Sequence, residues 1–190
     1  MAFSSSVPTA GTKRSRIRGM VLTALFAALI AVCAQIVIPA GPIPFTLQTL
    51  GVFLAAGLLG TGKGEAAVGV YILLGAAGVP VFSSFKGGVG VLLGPTGGYI
   101  VGFLFTVLAV GLFVKVLGEK WWVYALGMTV GLALCYAFGT AWFVFSKNAA
   151  GGQMDVAAAL GLCVIPFLLP DAGKIAVAVL LTQRLKKWVR

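Results

Sequence analysis

The sequence predicts an all-α integral membrane protein with six transmembrane helices. Of its 190 residues, 60% are hydrophobic and only 9% are charged, and the mean hydropathy is +1.08. These values lie far from the mixture that is typical of soluble domains. The apolar residues also fall into long runs separated by glycine- and proline-rich stretches, as expected for helices that cross a bilayer.

The first three helices are predicted near residues 19–38, 46–60 and 64–78. The first ends at Pro39, because proline cannot continue a helix. The second and third are separated by the turn sequence GTGKG, and each is only about 15 residues, or about 22 Å, long. Since the hydrocarbon core of a bilayer is about 30 Å thick, we expect neighbouring segments to shield the ends of these short helices.

The last three helices are predicted near residues 96–117, 121–146 and 156–187. Segment 79–95, which precedes them, is rich in glycine, proline and serine but is also half apolar. This mixture favours a long loop folded back over the protein rather than a solvated linker. The last helix contains two prolines, which remove backbone donors and are expected to kink it.

The distribution of lysine and arginine predicts that both termini are cytoplasmic. In this orientation only Lys86 and Lys147 lie outside. Eleven basic residues lie in cytoplasmic segments: Lys13, Arg14, Arg16, Arg18, Lys63, Lys115, Lys120, Arg184, Lys186, Lys187 and Arg190. Membrane topology follows this asymmetry. We therefore predict a disordered basic N-terminal tail over residues 1–18 and a six-helix membrane substrate-binding domain over residues 19–190.

Charge and composition exclude several classes of protein. The net charge of +10 would suit a nucleic-acid partner, but the basic residues flank apolar runs, where topology places them. The chain has no histidine, no serine with a plausible base and no pair of carboxylates within the spans, so enzymatic chemistry is not expected. Cys33, Cys135 and Cys163 lie in separate apolar runs, which indicates buried side chains rather than a metal site.

The segment 57-GLLGTGKG-64 approaches the pattern of a nucleotide-binding P-loop. Gly64, however, stands where that pattern needs the hydroxyl group that binds magnesium, and an apolar helix precedes the segment instead of a strand. The segment is interpreted as a helix-helix turn, and the chain itself is not expected to hydrolyse ATP.

The stretch 168-LLPDAGKIAVAVLL-181 contains the most informative charges. Asp171 and Lys174 lie within a predicted span, where each ion costs about 2.5 to 3.5 kcal/mol without compensation. Their i,i+3 spacing places them on one helical face, so one interpretation is an internal ion pair. We favour a ligand site, because ionisable residues within spans usually mark substrate or ion pathways. A proton relay is an alternative, but the other acidic residues, Glu65, Glu119 and Asp155, fall in predicted loops or helix ends.

The first helix carries two overlapping pairs of small residues: Ala24 with Ala28, and Ala27 with Ala31. Such strips allow another helix to approach closely within the bilayer, either inside the chain or from a partner. Two glycine pairs in later helices repeat the spacing and indicate internal packing: Gly98 with Gly102, and Gly127 with Gly131.

Four segments together resemble BioY, the biotin-specific S component family of energy-coupling-factor (ECF) transporters. They are 44-PFTLQTLGVFLAAGLLG-60, 75-GAAGVPVF-82, 87-GGVGVLLGPTGGYIVGF-103 and 170-PDAGK-174. The resemblance covers roughly residues 19–187. It implies the six-helix S-component fold in a prokaryotic cytoplasmic membrane, with a biotin pocket that opens outward beneath two loops. The implied partners are a transmembrane coupling subunit and two ATPase subunits, with no cofactor.

The resemblance also implies roles for individual residues. The alanine strip of the first helix would contact the coupling subunit. Asp171 would accept from the ureido N–H groups of biotin, and Lys174 would donate to its carbonyl or hold Asp171 ionised. Lys86 would take the tail carboxylate, although we expect arginine in this neighbourhood of the family, so lysine departs from the pattern. Five more residues are placed near or over the pocket: Phe45, Gln48, Tyr99, Phe82 and Phe85.

Three other functions stay open at this point. One is an S component for a different vitamin, another is a self-sufficient channel or proton-coupled transporter in which Asp171 titrates, and the third is a structural or sensory membrane protein. Binding of biotin by the purified chain without any gradient separates these possibilities from biotin capture.

Overall fold

The chain folds almost entirely into helices. The structure is a computed structural model that describes residues 10–38 and 45–189. The first elements are α1 (Ala10–Gln35), the antiparallel strands β1 (Val37–Ile38) and β2 (Phe45–Thr46), and α2 (Gln48–Ala76). A 3-10 turn (Ser83–Phe85) and the short α3 (Val89–Leu93) follow. The rest of the chain forms α4 (Gly97–Leu117), α5 (Trp121–Ala149), α6 (Val156–Cys163) and α7 (Ile165–Val189).

The start of the chain differs from the sequence prediction. Helix α1 begins at Ala10, so residues 10–18 are helical and not part of a disordered tail. Basic residues have good helix propensity and therefore extend the apolar helix. The first part of the predicted tail, residues 1–9, lies outside the described residues.

Helix α2 contains both the second and the third predicted helix. Gly60 has a φ of 74°, a left-handed value that glycine adopts at little cost, and it breaks α2 into two segments. The P-loop-like stretch 57–64 thus contains a helical break, in agreement with its interpretation as a helix-helix turn. Neither segment reaches the roughly 20 residues that a helix needs to span a bilayer alone.

Four helices of the described chain are long and apolar enough to cross a membrane. They are Ser15–Gln35, Gly97–Leu117, Trp121–Ala149 and Ile165–Val189. The last predicted helix is divided, because Val164 leaves helical geometry between α6 and α7. The helical class is confirmed apart from the two short strands, whereas the count of six crossings and the orientation stay predictions.

Helix α2 occupies the centre of the bundle and packs against α1, α4 and α7. Its side chains Val52, Phe53, Val68 and Tyr71 are at most 1% exposed. Helix α4 packs closely on α5, as the glycine pairs predicted. A Cβ added at Gly131 would lie 2.9 Å from Thr106 Cα, so only glycine permits this approach.

Basic residues meet at one end of the bundle. Arg18 donates to the carbonyl oxygen of Trp188 at 3.0 Å, and Lys186 Nζ lies 3.6 Å from the Glu119 carboxylate. These contacts join the first helix, the α4–α5 connection and the end of α7. The starts of α2, α4 and α7 lie at the other end, together with the loop between α2 and α4.

Candidate functional site

A cavity of about 170 Å³ lies among the starts of α2, α4 and α7, the middle of α5 and the loop after α2. Its walls mix polar and apolar side chains, as ligand pockets usually do. It is lined by Thr46, Gln48, Thr49, Phe82, Ser83, Ser84, Lys86, Val91, Thr96, Tyr99, Ile100, Phe103, Cys135, Tyr136, Cys163, Phe167, Asp171 and Lys174.

Helix α7 brings its two charges into this cavity by simple periodicity. Asp171, Lys174, Ala178 and Thr182 are buried and recur every three or four residues, so they form one strip that faces the bundle. Pro170, which has no backbone N–H, directly precedes Asp171 inside the helix. Both charges are therefore directed away from lipid.

The ammonium group of Lys174 is surrounded by three hydrogen-bond acceptors and one aromatic ring of the chain. Its Nζ lies 2.7 Å from Asp171 Oδ1, 2.6 Å from Thr46 O and 2.9 Å from Thr49 Oγ1, and all three can accept a hydrogen bond. The ammonium group also lies 4.0 Å from the centre of the Phe45 ring, a cation–π contact. Since an ammonium group has three N–H donors, Lys174 has none left for a ligand unless a present partner is displaced.

Asp171 keeps capacity for a ligand. Thr49 donates to its Oδ1 at 3.1 Å, and the Tyr136 hydroxyl donates to its Oδ2. A carboxylate oxygen accepts about two hydrogen bonds, so Oδ2 can accept one more from the cavity. The buried ion pair thus positions a carboxylate whose charge Lys174 compensates.

The opposite wall is built by the loop after α2. Phe82 N donates to Lys86 O at 2.9 Å, and the Phe82 ring packs edge-on against Tyr71 at 5.5 Å. Lys86 lines the cavity from this loop while remaining exposed. Ser83 also lines it, and its buried Oγ has no hydrogen-bond partner among the described residues. A ligand that reached this hydroxyl group would break no existing hydrogen bond.

Two further polar side chains are fixed by partners in neighbouring helices. Gln48 Nε2 donates to the Tyr71 hydroxyl at 2.7 Å, and the Tyr99 hydroxyl lies 3.0 Å from Thr140 Oγ1. Both side chains line the cavity in one defined orientation.

The structure brings most of the predicted site residues together. Asp171, Lys174, Lys86, Gln48, Tyr99 and Phe82 all line the cavity. Phe45 lies beside it and packs on Phe167 with 6.1 Å between ring centres. Phe85 does not line the cavity and is 73% exposed, because the turn at Ser83–Phe85 carries its ring outward. Contact between any of these residues and a ligand stays a prediction.

The alanine strip divides between two environments. Ala24 and Ala28 are exposed on the outer surface of α1, and Ala31 is half-buried. Ala27 is only 3% exposed and belongs to the core, so a partner cannot reach it. Only one of the two predicted pairs is therefore free to contact a second protein.

Sequence reasoning missed several polar residues of the site, notably Thr46, Thr49 and Tyr136. The two threonines lie within the first resemblance segment, in 46-TLQT-49, where only Gln48 was selected. Tyr136 carries a hydroxyl group in the middle of an apolar helix, and that position was a usable signal.

Comparison with known proteins agrees with this geometry. The model of the BioY family matches residues 8–190. The chain belongs to the BioY family. The biotin transporter BioY of Thermotoga maritima is 43% identical over 170 residues, covering 90% of this chain and 96% of the relative. The biotin transporter BioY of Rhodobacter capsulatus is 34% identical over 90% of this chain and 94% of its own length.

A solved structure has the same fold. The crystal structure of the S-component for biotin from an ECF-type ABC transporter superposes with a TM-score of 0.84 and 28% identity, covering 95% of each chain. This BioY member is therefore a transport protein rather than an enzyme, and its helical bundle is that of an S component.

Proposed function

We propose that this BioY member is the high-affinity biotin-binding membrane subunit of an ECF-type vitamin importer. The observation that carries the proposal is the Asp171–Lys174 pair, whose charges are 2% and 6% exposed and line the cavity. Relatives that cover most of the chain are named biotin transporters, which supports the same ligand.

The chemistry of biotin matches the cavity. Its ureido head has two N–H donors, and Asp171 Oδ2 offers an acceptor for one of them. Its carbonyl and carboxylate are acceptors, for which Ser83 and Lys86 offer donors. Its apolar ring and tail suit the walls formed by Phe103 and Cys135. The lining side chains thus offer partners for one ureido N–H group, the carbonyl, the carboxylate and the apolar parts of the ligand.

We further propose that the chain crosses a prokaryotic cytoplasmic membrane six times, with both termini inside. The basic contacts of Arg18 and Lys186 at one end of the bundle support this orientation. In a chain without native cysteines, a cysteine at Lys86 should react with an impermeant maleimide in intact cells. A cysteine that replaces Lys120 should react only after the membrane is permeabilised. The reverse pattern would contradict the proposed orientation.

The energy for import would come from partners. A transmembrane coupling subunit would dock on Ala24 and Ala28, and two ATPase subunits would hydrolyse ATP. The helical break at Gly60 is not a phosphate-binding loop, which is why we assign hydrolysis to separate subunits.

Direct identification of the ligand tests the function. The chain is purified from biotin-fed cells, and the released small molecule is identified by mass. Biotin at close to one molecule per chain is the expected result. Displacement by thiamine or riboflavin would assign another vitamin, and absence of binding together with proton-dependent flux would assign a self-sufficient transporter.

A further inference from the structure

Gln35, the last residue of α1, links that helix to the loop that covers the cavity. It does not line the cavity itself. Its Nε2 lies 3.1 Å from Phe82 O and 3.3 Å from Val81 O, and its Oε1 accepts from Phe85 N at 2.9 Å. One half-buried side chain thus bonds to the loop through both of its polar atoms.

We call residues 82–86 the lid segment, because Phe82, Ser83, Ser84 and Lys86 form one wall of the cavity. Its base is anchored on α2. Phe82 is 1% exposed and packs over Gly75, where a Cβ would overlap the ring. Just beyond the segment, Gly88 N donates to Gly75 O at 2.7 Å. Both ends of the lid segment are therefore fixed independently of α1.

The tip of the lid segment has a strained backbone. Ser84 and Phe85 have φ values of 61° and 56°, in the left-handed region that non-glycine residues rarely occupy. A side chain with a Cβ is strained in this backbone conformation. The exposed Phe85 side chain offers little packing in compensation, so hydrogen bonds must hold the tip.

We propose that Gln35 is a positioning residue that latches the tip of the lid segment closed and so slows the escape of bound ligand. The inference rests on the proposed function, because it takes biotin as the ligand. The mechanism is local: the carbonyls of Val81 and Phe82 and the N–H of Phe85 are bound by one amide, which favours the strained tip over an open one. The latch acts through the loop and does not touch the ligand.

Glutamine is suited to this task because its amide is both donor and acceptor. A glutamate at this position would keep the acceptor for Phe85 but would direct a carboxylate oxygen at the carbonyls of Ala31, Val81 and Phe82. Methionine has nearly the same shape and neither polar function. Gln35→Met therefore removes the latch with little change in packing.

The test compares Gln35→Met with Gln183→Met in the full-length chain. Gln183 is also half-buried in a long helix, and its Nε2 has no hydrogen-bond partner in the described chain, so this change is a matched control. Dissociation of tritiated biotin should be about tenfold faster in Gln35→Met than in wild type. Association should not slow, and Gln183→Met should match wild type.

Hydrogen exchange of the loop, measured without biotin, separates the latch from the proposed function. Peptides covering residues 82–88 should exchange faster in Gln35→Met, while peptides of α4 should not. Unchanged hydrogen exchange of the loop in Gln35→Met would overturn the latch. Faster exchange of the loop in a variant that still releases biotin at the wild-type rate would overturn it as well. Failure of the wild-type chain to bind biotin would instead overturn the proposed function.

Discussion

Lys174 Nζ lies 2.7 Å from Asp171 Oδ1, and both side chains are almost fully buried within the bundle. The ion pair does not stand alone, because Thr46, Thr49 and Phe45 surround the ammonium group. Lys174 thereby ties α7 to the segment that leads into α2. Asp171, with an oxygen that can accept further bonds, remains the group best placed to meet a ligand.

Tyr136→Phe tests whether the hydroxyl that donates to Asp171 Oδ2 orients this carboxylate. Biotin affinity is expected to fall by about 5- to 10-fold, because one hydrogen bond to a charged group is lost while the ring is kept. Equilibrium binding measures the effect.

The matched control is Tyr124→Phe. The Tyr124 hydroxyl is buried without a hydrogen-bond partner among the described residues, so its removal should not weaken binding and should not destabilise the fold. Equal effects of the two substitutions would contradict a role for the Tyr136 hydroxyl.

Gly139→Ala tests the fit of Tyr99 in the cavity wall. A Cβ at Gly139 would overlap the Tyr99 ring, so the ring must move toward the ligand space. We expect biotin affinity to fall at least about fivefold, in line with the cost of overpacking. Gly161→Ala on α6, where no atom lies within 4 Å of the added Cβ, should leave affinity unchanged. Wild-type affinity in Gly139→Ala would place the ligand away from Tyr99.

Lys86→Met tests the assignment of the ligand's carboxylate. Lys86 is exposed, so the interaction is screened and the loss of biotin affinity should be only about three- to fivefold. Biotin methyl ester, which has no charge on its tail, should bind wild type and variant equally. A similar loss for acid and ester would show that Lys86 acts through the loop rather than through the carboxylate.

Leucine at Ala24 and Ala28 tests the proposed contact with a coupling subunit. Both positions are exposed, so the double variant should bind biotin normally, but uptake by the assembled complex should fall roughly tenfold or more. Ala176→Leu, at an exposed position of α7, should support normal uptake. Normal uptake by the α1 variant would assign this strip to contact with lipid.

The sequence predicted the chemistry of the site better than its geometry. Asp171 and Lys174 were identified because charges inside an apolar run are costly and must be compensated. Their partners Thr46 and Tyr136 were not identified, because they lie in β2 and α5, far from α7 along the chain, and only the fold brings them together. The contacts of Gln35 were not predicted for the same reason, because its partners lie 46, 47 and 50 positions further along the chain.

Helix boundaries were predicted where the local chemistry decides them. The predicted end of α4 at Leu117 and the predicted start of α5 at Trp121 agree with the structure. Helix α4 ends there because Gly118 adopts a φ of 86°. The break inside α2 was also predicted, because glycines mark it in the sequence and Gly60 adopts a left-handed φ. The division between α6 and α7 was missed, because the single residue Val164 makes it and the hydropathy of the segment does not change there.

The biotin affinity of Asp171→Asn tests most directly whether the buried carboxylate binds the ligand. Asparagine keeps an acceptor for Lys174, so folding should be affected little, whereas the charged acceptor for the ureido group is lost. Affinity is predicted to fall by roughly 10- to 100-fold. Asp155→Asn, which changes an exposed helix cap, should bind like wild type. Wild-type affinity in Asp171→Asn would contradict the account, because the buried carboxylate would then be a structural charge with no part in binding.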